Sequence, residues 1–246
     1  MYDFFSLVSE KYTSPFFSEK MKNKISIGFN DFFKNEIVQT LYSELLNDVK
    51  FERVELGKQT KLFRGERELG KVYDGKILFK KNTKQQFIIN NCLQMFHDQA
   101  FIEFLSKIVG TPVHFLREAT PYKFQKGDYL CLHDDLSHPK HCIEVVINLT
   151  KNWERKFGGL SLIGKIKRIE NVMTPDYLPF QLRKIYLDRS KKYSLVTPKF
   201  NTLSIIKLST ENCHGVTKIR HDSTRIVLAC IYGGHEMQKP TTIWKH

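Results

Sequence analysis

The chain has 246 residues with 39 Lys and Arg against 26 Asp and Glu, a formal charge of +13. A 41% hydrophobic share with 13% aromatics excludes a disordered tail and is enough to bury a sizeable core. No apolar run approaches the roughly 20 residues a membrane span needs, so no membrane contact is expected. The opening MYDFFSLVSEKYTS lacks a basic segment followed by an apolar one, so no secretory signal is expected. Cys92, Cys131, Cys142, Cys213 and Cys230 show no CxxC spacing, which suits reduced thiols in a cytoplasmic compartment. The positive charge admits a nucleic-acid partner. The cations are mostly lysine, however, which reads better as a compositional bias than as an arginine-built recognition surface.

In chain order, residues 35–50 place Ile37, Leu41, Leu45 and Val49 at successive i+4 positions, the pattern of an amphipathic helix. Residues 52–84 are polar, punctuated by Gly57, Gly65, Gly70 and Gly75, and read as strands and loops. A second helical block runs from about Gln85 to Val109, with Asp98 capping its second half and Gly110 ending it. From Thr120 the texture becomes β-rich: YLCL (129–132), CIEVVINL (142–149), LSLI (160–163), TLSIIKL (202–208) and RIVLACIY (225–232). Alternation and spacing imply an antiparallel sandwich or barrel. Between Gly164 and Pro198 lies a long basic interruption, read as a lid or a solvated loop.

The segment that carries chemistry is Leu132-His133-Asp134-Asp135 at the end of a predicted strand. An imidazole and a carboxylate two residues apart on an extended chain project to one side. A second imidazole from a distant strand, His214 in NCHGV being the natural candidate, would complete a two-His-one-carboxylate triad with open positions for reactants. Alone, His-x-Asp is a weak signal. Its company strengthens it: Arg225 follows His214 by eleven residues, and INLTKNW leads through Gly158-Gly159 into GGLSLI.

The order YKFQKGDYLCLHDD, INLTKNW, GGLSLI, then CHGV with an arginine eleven residues on, resembles the Fe(II)- and 2-oxoglutarate-dependent dioxygenases. It is most similar to their prolyl 4-hydroxylase-like group and, within it, to the branch that hydroxylates a ribosomal-protein proline. AFIEFLSKIVG resembles the helix preceding the core in that branch, and the likeness covers roughly residues 85–235. The resemblance implies an α+β fold dominated by β, with a double-stranded β-helix (jelly-roll, cupin-like) core buttressed by N-terminal helices. The whole chain, 1–246, is then one dioxygenase domain: a buttress of helices and strands over 1–119, and a double-stranded β-helix core over 120–235 with the basic insertion at 164–198. His133, Asp135 and His214 would bind Fe(II), and Arg225 would hold the distal carboxylate of 2-oxoglutarate, where a guanidinium fork suits a planar anion. O2 is the other cosubstrate and ascorbate a candidate reductant. The reaction would hydroxylate an unactivated C–H, releasing succinate and CO2.

One departure stands out. Prolyl hydroxylases usually carry a tyrosine three residues before the glycine leading into His-x-Asp, where this chain has Phe124 before Gly127. Tyr122 and Tyr129 are the nearby candidates for a cosubstrate contact. The substrate is read as a prolyl residue of a protein, or else a free amino acid or other small metabolite. A nucleic-acid oxygenase and a non-catalytic binding module on the same barrel rank below these. His138 and His141 are read as loop residues rather than zinc ligands, and Cys131 and Cys213 as small buried hydrophobes. Trp153 and Gly158-Gly159 are read as turn and packing residues, Asp134 as orienting a neighbour or capping a turn, and His221, His235 and His246 as surface groups.

Overall fold

A computed structural model describes residues 3–14, 17–49, 51–56, 60–64, 72–73, 76–77, 88–135, 141–171 and 183–234. The helices are α1 (Phe4–Leu7), α2 (Glu10–Thr13), α3 (Asn35–Asn47), α4 (Ile88–Met95) and α5 (Gln99–Val109). The strands are β1 (Ser26–Asn30), β2 (Glu52–Leu56), β3 (Thr60–Arg64), β4 (Val72–Tyr73), β5 (Lys76–Ile77), β6 (Phe115–Phe124) and β7 (Leu130–His133). There follow β8 (His141–Asn148), β9 (Ser161–Asn171), β10 (Arg183–Leu187), β11 (Ser194–Val196), β12 (Thr202–Lys207), β13 (Asn212–Val216) and β14 (Arg225–Gly233). No described helix is long and apolar enough to cross a membrane.

The architecture is α+β and dominated by antiparallel sheet. One sheet has the order β1-β12-β8-β14-β6-β3-β2; a second has β10-β9-β13-β7, with β11 also paired to β9. Period-two alternation gives the large sheet two different faces. Ile143, Val145 and Ile147 of β8, Leu203 and Ile205 of β12, and Ile226, Leu228, Cys230 and Tyr232 of β14 turn to one side. There they join a core built with Leu41 and Leu45 of α3 and Phe101, Leu105 and Ile108 of α5. Val146 and Val227 turn to the other side and, with Phe124 and Ile219, meet Leu130 of β7 and Val216 of β13. That smaller cluster lies between the two sheets, and the candidate site grows from it.

The expected helices form where the apolar spacing puts them. Asp98 caps α5 by accepting from the Ala100 N–H at 2.9 Å, and Gly110 ends it in the left-handed region at φ 77°. Two expectations change. The large sheet recruits β1, β2 and β3 from the first 119 residues, and β6 begins at Phe115 and pairs along β14. The change of texture at Thr120 therefore falls inside a strand. The described parts of the interruption at 164–198 contain strand: β9 runs on to Asn171, and β10 folds back on it, pairing Lys184 with Glu170 and Tyr186 with Arg168. Its stretch KIKRIE has no apolar face to announce a strand. Cross-strand side chains support it instead, with Arg168 over the Tyr186 ring at 3.9 Å and Tyr186 donating to Glu170 at 2.7 Å. Gly57, Gly65, Gly70, Gly75, His138, His235, His246 and residues 172–182 lie outside the described residues.

Candidate metal centre

β7 and β13 pair with His133 directly opposite His214, and the two rings stand 4.1 Å apart centre to centre. Gly215 permits that approach, since a Cβ there would sit 2.8 Å from the Leu130 carbonyl oxygen. The His133 Nδ1 lies 2.8 Å from the Cys131 carbonyl oxygen; as donor it fixes the tautomer and leaves Nε2 free to bind. β7 stops at His133, and Asp135 has φ 53°. Strand alternation is thus not what brings the carboxylate round: a left-handed turn does, in a conformation aspartate tolerates better than most residues. Asp135 Oδ2 stands 3.1 Å from His214 Nε2 and 3.5 Å from His133 Nε2. One ligand atom from each of the three residues lies within 4.8 Å of the others.

Two nitrogens and one carboxylate oxygen converging this closely suit a divalent transition metal with open positions. The electrostatics agree. Burial alone would raise the Asp135 carboxyl, but the two imidazoles hold it well below the ordinary value. Burial opposes charge on His214, while Glu144 and Asp135 outweigh it and push its pKa up to about 10. The three groups are mutually held, as ligands waiting on a cation would be.

Glu144 was not among the sequence candidates. Its buried Oε2 pairs with His214 Nε2 at 3.1 Å and has no other hydrogen-bond partner among the described residues. The signal was a glutamate at an inward position of the otherwise apolar run CIEVVINL. Arg183 was missed too: from β10 it pairs with the buried Asp134 at 2.5 Å, so Asp134 ties the metal loop to the β9–β10 arm.

Arg225 opens β14 opposite Phe124 and is 2% exposed. It donates to the Gly159 carbonyl at 2.9 Å and the Ser161 hydroxyl at 3.1 Å, lies over the Phe124 ring, and leaves Nε without a partner among the described residues. Burial lowers its pKa to about 10, with Glu144 opposing. Gly158 and Gly159 have φ 73° and 62°, and a Cβ on Gly158 would meet the Lys218 carbonyl oxygen at 2.1 Å. Trp153 donates to the Gly158 carbonyl at 2.8 Å. These are turn and packing residues, with the added task of presenting the Gly159 carbonyl to Arg225.

Phe124 is buried in the cluster between the sheets, with Tyr122 packed partly on it. Tyr122 pairs with Val227, which pairs on its other side with Asn148. Asn148 is 5% exposed and its Oδ1 has no partner among the described residues. Tyr129 is half-buried just before β7. His221 is exposed and stacks on Phe157. All five cysteines are free, and burial raises the thiols of Cys92, Cys131, Cys142, Cys213 and Cys230.

No protein-family model matches the sequence, and no curated protein matches it. Solved structures do. An oxidoreductase of the 2OG-Fe(II) oxygenase family from Burkholderia pseudomallei superposes with TM-score 0.58 at 15% identity, covering 89% of this chain and 90% of its own. A prolyl hydroxylase from Trichoplax adhaerens, in complex with a hypoxia-inducible-factor degradation-domain peptide, gives 0.59 at 13%, over 87% and 86%. HygX from Streptomyces hygroscopicus, with nickel, 2-oxoglutarate and hygromycin B bound, gives 0.54 at 14%, over 89% and 86%. The fold is that of the 2OG-Fe(II) oxygenases. At these identities the likeness concerns the fold, and substrate choice rests on other grounds.

Proposed function

We propose that this chain is an Fe(II)- and 2-oxoglutarate-dependent dioxygenase that hydroxylates an unactivated C–H bond. The observation that carries this reading is the convergence of His133, Asp135 and His214 from β7, the turn after it and β13. The two sheets enclosing them are read as the double-stranded β-helix, and the described units as one domain. When bound, Fe(II) and 2-oxoglutarate supply the activation of O2, the cosubstrate leaving as succinate and CO2. The chain's own residues position and neutralise. His133, Asp135 and His214 hold the metal. Arg225, desolvated and with Nε unpartnered, presents its fork to the distal carboxylate in a dry pocket, where a charge-assisted pair is strong. Tyr122 and Asn148, both paired with Val227 two residues along β14 from Arg225, take the place of the absent tyrosine; Tyr129 is a weaker candidate.

For the substrate we favour a prolyl residue of a protein, supported by the sequence resemblance and by the peptide held by the Trichoplax enzyme of the same fold. The ribosomal-protein branch rests on motif order alone. A free amino acid or small metabolite is the second reading, favoured by a similar fold that holds hygromycin B. A reducing, cytoplasmic setting suits the five free cysteines, and ascorbate remains the candidate reductant. Anaerobic titration with Fe(II) and then 2-oxoglutarate tests the assignment. The visible charge-transfer band of a chelated keto acid is expected, abolished in His133→Ala. In Arg225→Ala the dissociation constant for 2-oxoglutarate is expected to rise roughly tenfold to a hundredfold, the loss of a charged hydrogen-bonded pair. A folded protein without the band refutes the assignment and leaves a binding module.

A further inference from the structure

On the proposed reading of the centre, Glu144 has no task. It is not among the residues whose ligand atoms lie within 4.8 Å of one another, so it stands outside the metal's inner set. It nonetheless reaches to 3.1 Å of His214 Nε2, the atom that faces the metal. Once a metal ion takes the Nε2 lone pair, that nitrogen offers Glu144 no proton. Oε2 is fully occluded and has no other hydrogen-bond partner among the described residues. A buried carboxylate in that position costs several kcal/mol unless a donor meets it.

The sheet register shows what stands beside Glu144. Ile231 of β14 is opposite Glu144 of β8 on one side and Glu118 of β6 on the other. Residues facing across antiparallel ladders point to the same face, so the two carboxylates flank Ile231 on the face that carries Val146 and Tyr122 toward the metal. Adjacent strands are about 4.8 Å apart, placing the two glutamate Cα atoms about 10 Å apart. Glu118 also accepts from the Thr120 hydroxyl at 2.9 Å. Arg225 lies toward the other end of β14, at its first residue, so the proposed cosubstrate anchor and the acidic pair occupy different ends of one sheet face.

Charge decides the chemistry. Asp135, Glu144 and Arg225, together with a divalent ion and a dicarboxylate cosubstrate, leave the loaded centre with one net negative charge, before Glu118 is added. A neutral or anionic substrate group would leave Glu144 uncompensated. We infer that Glu144, with Glu118 beside it, is the specificity-determining anchor for a substrate carrying an ammonium or guanidinium group next to the carbon that is hydroxylated. This rests on the dioxygenase reading and narrows its substrate class: a basic side chain close to the target residue of a peptide, or a free amine.

The test uses the full chain loaded with Mn(II) and 2-oxoglutarate, with calorimetric titration of n-butylammonium, n-butylguanidinium, 1-butanol and butyrate. The cations are expected to bind about tenfold tighter than 1-butanol, the discrimination of one charge-assisted hydrogen bond. In Glu144→Gln the ratio is expected to fall within twofold while the Fe(II)–2-oxoglutarate band persists. Tighter binding of acetyl-prolyl-lysinamide or of free L-lysine than of its norleucine counterpart supports the assignment, and whichever shows the larger ratio identifies the source of the cation. Equal affinities for cations and 1-butanol in the unaltered protein overturn it, as does a ratio that survives in Glu144→Gln. A tenfold loss of Fe(II) affinity in Glu144→Gln also overturns it, by making Glu144 a metal ligand. Absence of the band in the unaltered protein defeats the dioxygenase reading instead, whereas a normal band with equal affinities for cations and 1-butanol defeats this assignment alone.

Discussion

His133, Asp135, His214 and Arg225 could be found in the sequence because short local spacings carry them: His-x-Asp after a strand, and an arginine eleven residues past a second histidine. Glu144 and Arg183 belong to the same site by pairing across strands, and no local spacing announces such a partner. Phe124 shows the limit from the other side. The sequence puts Phe124 where the prolyl hydroxylases it resembles carry a tyrosine, but only the register β6–β14–β8 brings Asn148 to the adjacent row. A different residue sets an acid limit on stability. His97 follows α4 with Nε2 buried and unpartnered among the described residues, and burial lowers its pKa. The folded state therefore keeps His97 neutral, while the unfolded chain takes up a proton near the ordinary histidine value of 6.5. Stability from this group is complete above that pH and is lost as pH falls toward the folded value, at a slope of at most about 1.4 kcal/mol per pH unit. Urea midpoints between pH 7.5 and 5.5 are expected to fall less in His97→Gln than in the unaltered chain; parallel declines would remove His97 as the cause.

Among elements, the β9–β10 arm joins the metal loop through Arg183 and Asp134. The Asp134 side chain is 3% exposed and that of Arg183 33%, so the pair lies between a buried and a surface bridge. Arg183→Ala is expected to cost about 1–2 kcal/mol in urea unfolding, between the usual values for those two extremes. It should also weaken Fe(II) binding, because Asp134 adjoins Asp135, the proposed ligand. A change under 0.5 kcal/mol with unaltered Fe(II) affinity would return the arm to the status of a solvated loop. The turn before β9 makes a second demand. A Cβ on Gly158 meets backbone, which cannot move aside as a flexible side chain would, at a φ that also disfavours alanine. Gly158→Ala is expected to cost about 2 kcal/mol or more. Because Gly159 presents its carbonyl to Arg225, affinity for 2-oxoglutarate should fall with it. A variant matching the unaltered chain in melting temperature and 2-oxoglutarate affinity would show that the turn adapts. The glycines were conspicuous in sequence as a turn; their connection to Arg225 was not, since it spans 66 residues.

Across the whole molecule, the described residues among the first 34 bind the helical layer to the sheet. α1 and α2 have four residues each, too short for apolar periodicity to show, and nothing local makes them helical beyond the Asp3 cap. Long-range contacts hold them. Asp98 accepts from the Phe4 N–H at 3.0 Å with one oxygen while capping α5 with the other. Asn201 accepts from the Phe33 N–H and donates to the Phe33 carbonyl, both at 2.9 Å. β1 lies along β12 at the edge of the large sheet. Phe4, Phe32 and Phe33 then enter the main core beside Phe101 and Phe104. Because β12 pairs on its other side with β8, whose opposite face carries Glu144, this N-terminal packing supports the wall of the site from behind. Phe32, at 0% exposure, touches Tyr12, Phe33, Phe101 and Phe104. Phe32→Ala is expected to destabilise by about 3–5 kcal/mol through lost burial and a residual cavity, a large part of the stability of a typical domain. Deleting residues 1–34 removes β1 as well and is expected to abolish the cooperative thermal transition together with Fe(II)-dependent binding of 2-oxoglutarate. A deletion variant that melts cooperatively at an unchanged temperature would mean that the sheets carry their own stability and the N-terminal layer is an accessory.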